Sequence, residues 1–286
     1  MQAKEIAKDW ILIIDESIQF GNEKLSTPVC DHGSDIKKAL RLSGIKHIHD
    51  ITHHAALILK KIYLNNEDFL GLTKAMSEMR SRKIQTSLAH ICPPNQRSKS
   101  RFQNIHVISK WGMNCLKLLK GKKSKERDDL KWVKKYKNLI IELDSITKVL
   151  GEIFHIVKNK GLNESTINQC KVILKKAKGE NGRIFRTQMI EYFKICMTTV
   201  KAKENLLCTS DIIESSFGKM KNIVSQNKMA GITDLSLCMS SFTCDLSDEF
   251  IKEALENTTV EDVAKWAADN IGVTLFKKRN LAFSGI

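Results

Sequence analysis

A chain of 286 residues that is 42% hydrophobic can bury one large core or two modest ones, which excludes wholesale disorder. Its 47 Lys and Arg against 32 Asp and Glu leave a net charge of +15, a balance that suits a polyanionic partner such as nucleic acid. Three prolines, fourteen glycines and few aromatics favour helix. None of the eight cysteines forms a C-x-x-C pair, and the sequence opens with no secretory leader pattern. They read as reduced, mostly buried thiols of a cytoplasmic protein, and no apolar run is long enough to make a membrane a partner.

In chain order, Trp10 to Ile14 is a continuous apolar run that reads as a strand buried on both faces. Thr27 to Cys30 reads as a second short strand, followed by a helix that Ser34 can cap and that runs to about Leu42. Ile45 to Ile48 reads as a third. From His49 onward the pattern is almost wholly helical. Apolar residues at 51, 55, 58, 59 and 62 form one stripe over Ile51–Tyr63, and helices are expected over about 69–88 and 105–119. Pro93-Pro94 is the strongest break. Lys117 to Lys137 gathers ten Lys and Arg against three acids around a charged hinge at 121–127. Helices follow over about 129–158, 164–178 and 186–204, with Gly179 and Gly182 opening a turn between the last two. Thr209-Ser210-Asp211 has capping chemistry for a helix carrying Ile213, Phe217, Met220 and Val224. Short helices are expected near 233–241, 248–256 and 259–270, ahead of a loose basic tail, Lys277-Lys278-Arg279.

Asp15 closes the first strand and Asp31 the second, while Glu214 lies in the first turn of the helix after Ser210. Hard divalent cations take carboxylates, and ligands of parallel sheets gather at the carboxyl ends of strands. Each acid also has a structural reading. Asp15 can simply mark a strand exit, Asp35 rivals Asp31, and Glu214 stands at capping-box spacing from Asp211.

The segments 10–24 (WILIIDESIQFGNEK), 29–36 (VCDHGSDI), 49–59 (HDITHHAALIL), 93–101 (PPNQRSKSR) and 212–222 (IIESSFGKMKN), in that order, resemble bacterial insertion-sequence transposases of the DDE type. That resemblance implies a predominantly helical α/β chain. Residues 1–50 would be the remnant of an RNase H-like strand core and 51–205 a large helical insertion. Residues 206–286 would carry the third acid and the C-terminal helices. It implies DNA transposition by two-metal phosphodiester hydrolysis and strand transfer, with Asp15, Asp31 and Glu214 as catalytic residues holding Mg²⁺. Arg97, Lys99, Arg101, Lys219 and Lys221 would contact DNA, and the partners would be the element ends and target DNA, with a homo-oligomer left open. The chain departs from the family in one respect above all. Only 16 positions separate Asp15 from Asp31, too few for the two strands and helix that lie between these acids in such a core. The expectation is therefore a shortened, N-terminally truncated and internally deleted copy that no longer cuts DNA.

Two rivals stand beside this reading, a non-catalytic basic helical protein that binds nucleic acid, and a remnant with no selected role. The cluster His47, His49, Asp50, His53 and His54 invites a zinc reading with Cys30 nearby. No second Cys or His pair has ligand spacing, so a polar seam or phosphate contacts are the favoured account of it.

Overall fold

The computed structural model describes residues 27–96, 101–122, 124–199, 205–224, 246–270, 273 and 275–284. The fold is predominantly helical, with one small two-stranded parallel sheet. The expected strand Trp10–Ile14 and the expected helix near 233–241 lie outside the described residues.

The sheet belongs to a β–α–β unit, β1 (Val29–Cys30), α1 (Ser34–Leu42) and β2 (Ile48–His49). The register pairs Val29 with Ile48 and Cys30 with His49. Hydrogen bonds from Ile48 N to the Pro28 carbonyl (3.0 Å) and from Asp50 N to the Cys30 carbonyl (2.8 Å) carry the ladder. Because side chains alternate along a strand, Ile48 faces the main helical core while Cys30 faces a small cluster with Ala39 and Leu40 of α1. The second strand starts later than the apolar pattern suggests, since Ile45 packs in the small cluster ahead of the ladder. Ser34 is the first helical residue of α1 rather than its cap, which is Gly33.

The helical body runs from α2 (Ile51–Tyr63) through α3 (Glu67–Lys83), α4 (Ile105–Leu118), the short α5 (Lys125–Asp129), α6 (Lys137–Lys160), α7 (Glu164–Leu174) and α8 (Gly179–Thr199). Side chains set several starts: Asp50 caps α2 by accepting from His53 N, Asn66 caps α3, and Asn163 with Thr166 forms a capping box on α7. Gly161, at φ 68°, ends α6 in a conformation that favours glycine. The adjacent Leu162 bridges to Leu206, which ties the chain beyond α8 back onto the body. The long helix α6 is the axis of the core, burying Leu139, Ile140, Leu143, Ile146, Val149 and Ile153. Helix α4 packs on it closely enough that a Cβ at Gly112 would meet Ile140 at 2.9 Å.

Helix α8 begins at Gly179, ahead of the turn expected there. Gly182 lies buried inside it, where an added Cβ would come 3.0 Å from the Ala177 backbone, so close packing rather than chain reversal explains this glycine.

The chain divides into two compact units, Met1–Thr209 and Ser210–Ile286. The second contains α9 (Asp211–Val224), α10 (Asp248–Asn257), α11 (Val260–Asn270) and α12 (Leu275–Phe283). Lys277-Lys278-Arg279, expected in a loose tail, are helical in α12. Among the described residues of this unit, Ala267 alone is a buried hydrophobic. No helix among the described residues is long and apolar enough to cross a membrane.

Candidate functional site

Polar chemistry in the first unit concentrates at the carboxyl ends of the two parallel strands. Asp31 leaves β1 with its carboxylate exposed, and Oδ1 accepts the Gly33 N–H at 2.8 Å, which shapes the turn into α1. An open groove of ≈390 Å³ lies beside it, lined by Asp31, His32, His53, Lys60 and Gln103 among others. Phe102 and Gln103, just ahead of α4, also line it.

Behind Asp31 lies a cluster of imidazoles. Lys37 Nζ lies 2.9 Å from His32 Nδ1, and His32 Nε2 lies 3.1 Å from His54 Nδ1. Lysine can only donate, so His32 Nδ1 accepts and its Nε2–H is passed on to His54. The His32 ring stacks on His49 with centroids 4.0 Å apart, and His47 meets His49 edge-on at 4.9 Å. Tyr192 of α8 stacks on His54 at 4.5 Å and donates its hydroxyl to the His49 carbonyl at 2.7 Å, so a residue far along the chain fixes β2. Asp50, fully buried, accepts both the N–H and the Nδ1–H of His53.

Burial, with neighbouring cationic Lys37 and the other rings adding to it, holds these imidazoles neutral. His32 is pushed down to about 3 and His49 to about 4, and His47 and His54 also fall below the ordinary histidine range. The Cys30 thiol is pushed up to about 11 by burial and by the Asp31 carboxylate, and Lys37 pulls it the other way.

The residues expected from sequence fall as follows. Asp15, Arg97 and Lys99 lie outside the described residues. Glu214 is in the first turn of α9, exposed, and its Oε1 accepts the Ser210 hydroxyl at 3.2 Å. Lys219 and Lys221 are exposed on the same helix. Arg101 is half-buried and lines a cavity of ≈250 Å³ with Asn95, Gln96 and Asn104, where its Nε is buried with no hydrogen-bond partner among the described residues. His32, Lys37 and Tyr192 were not singled out by sequence, and their places depend on the β–α–β turn and on contact between α2 and α8. The six described cysteines are all free, five of them buried.

A two-metal Mg²⁺ site needs several convergent carboxylates. Among the described residues lining the groove, Asp31 is the one carboxylate, set beside imidazoles and Lys60.

Comparison with family models, with curated proteins and with solved structures finds no match to this chain.

Proposed function

We propose that this chain is a transposase-derived protein that binds DNA through the groove beside Asp31. Its inherited reaction is DNA transposition by two-metal phosphodiester hydrolysis and strand transfer. Asp15, Asp31 and Glu214 are the ligands the sequence resemblance gives for Mg²⁺, and the core is a shortened RNase H-like sheet. The short Asp15–Asp31 interval removes the geometry needed for cutting, while phosphate binding persists.

The observation that carries this reading is the groove itself. An acid at the carboxyl end of a parallel strand borders a groove that also holds Lys60, His32 and Gln103. Strand ends of α/β units are where such sheets take ligands. Arginine, lysine, asparagine and glutamine are the side chains that grip a phosphodiester backbone.

Binding to duplexes taken from the DNA that flanks the gene tests it. If about four phosphates are contacted, affinity falls roughly a hundredfold between about 50 and 200 mM salt. Absence of binding at low salt, or affinity indifferent to salt, overturns the proposal. A second reading, a nucleic-acid-binding protein with no transposase ancestry, is favoured by the imidazole and lysine setting of Asp31. Mg²⁺-dependent nicking of the same duplexes that Asp31→Ala abolishes would refute that rival, and would also show that cutting survives the short interval.

A further inference from the structure

Three side chains meet beside the small sheet, two of them through its register. Cys30 and His49 are direct partners in the parallel ladder, so their side chains leave the sheet on the same side. His47 lies one residue ahead of β2, and its ring meets that of His49 edge-on at 4.9 Å. The Cys30 thiol and one ring nitrogen each from His47 and His49 lie within 4.8 Å of one another.

We propose that Cys30, His47 and His49 form a zinc site that staples β1 to the chain entering β2. One thiolate with two imidazoles is a borderline-soft donor set, which selects Zn²⁺ over the hard cations that prefer oxygen.

Two independent features support it. His49 Nδ1 is buried and has no hydrogen-bond partner among the described residues. A buried imidazole nitrogen without a partner is costly, and a metal supplies that partner. Second, the strands are two residues long each, and their private core is Cys30, Ala39 and Leu40. So short a ladder needs a further tie, and a structural metal is one way small elements obtain it. His32 is not the fourth ligand, because both its ring nitrogens are engaged, by Lys37 and by His54. The fourth position is left to water. This site uses a donor set different from that of the carboxylate triad and stands whether or not the chain handles DNA.

The test uses the full chain, stripped with a chelator and titrated first with Zn²⁺ and then with Co²⁺ as an optical probe. The expected result is about one equivalent bound per chain. The cobalt form should show an intense thiolate-to-metal charge-transfer band and d–d absorption of low-coordinate geometry. Cys30→Ser should lose the charge-transfer band, and His47→Ala should lose stoichiometric binding. Cys115→Ser, a buried thiol elsewhere, should keep both. His47 is half-buried rather than core, so its variant keeps the test decisive if Cys30→Ser fails to fold. Failure of the wild-type chain to take up either metal, or cobalt spectra unchanged by Cys30→Ser, overturns the proposal. No DNA enters this assay, so its result is separate from that of the DNA-binding experiment.

Discussion

The helical body and the β–α–β unit are packed on opposite principles. In the body, α4, α6 and α8 bury aliphatic and aromatic side chains. The polar group of a core residue such as Tyr63 is satisfied there, its hydroxyl donating to Glu142 Oε1 at 2.8 Å. In the β–α–β unit and its junction with α2, a thiol and Asp50 are buried and several imidazoles are half-buried, around a ladder of two residues per strand. Apolar area fixes the first region, while hydrogen bonds and ring contacts fix the second. The difference teaches where chemistry can reside. A region stabilised by area has no use for neutral imidazoles, and a region that keeps them forgoes part of the hydrophobic stabilisation.

The largest expected effect falls in the body. Phe69→Ala, at a fully buried site, should cost about 3–5 kcal/mol in urea unfolding. A loss near zero would mean the body is not the principal source of stability. The cap at the junction comes next: Asp50→Ala should cost about 1–2 kcal/mol through loss of the bond to His53 N, with Asp50→Asn milder. A sharper probe of packing is a pair of glycines. Gly112→Ala drives a methyl into Ile140 and should destabilise by about 1 kcal/mol. Gly151→Ala, in α6 with open space around it, should stabilise by about 0.5–1 kcal/mol. Equal signs for the two would contradict the close α4–α6 contact.

The smallest effect is alkaline. Burial pushes the Cys115 thiol up to about 12 and that of Cys170 up to about 11, and raises Tyr63 as well. An unfolded thiol gives up its proton near ~8.5, whereas the folded one keeps it. The unfolded state then binds fewer protons, so stability falls as pH rises above about 8.5. A denaturation midpoint that holds or rises between about pH 7.5 and 9.5 would contradict this. Hydrogen exchange compares the regions directly. The Ile48 and Asp50 amides should exchange before those of α6 in chelated protein, and added zinc should slow them.

Much of the body is legible in the sequence. The stripe at 51, 55, 58, 59 and 62 gives α2 its observed bounds, Ile51–Tyr63, because an amphipathic helix records its burial locally. The helix expected from residue 164 likewise begins there as α7, although its Asn163–Thr166 capping box emerges only in the structure. What sequence misreads is decided by tertiary contact. Gly182 signals a turn in isolation, yet it sits inside α8 because the helix passes close to Ala177. The site is legible only in part. Asp31 stands out as a strand-ending acid, but nothing local pairs Cys30 with His49, since parallel register joins residues across α1. Tyr192 is further from reach still, 143 positions from the carbonyl it holds.

The account rests most heavily on the groove beside Asp31 being a phosphate-binding surface. The most direct measurement is the salt dependence of duplex binding for Lys60→Ala in the groove and Arg101→Ala in the basic segment that lines the separate cavity, beside Lys176→Ala, whose lysine pairs with Glu152 on the surface. The account predicts that the first two weaken binding and each flatten the salt dependence by about one phosphate's worth, while Lys176→Ala leaves it unchanged. Identical salt dependence in all three would contradict it.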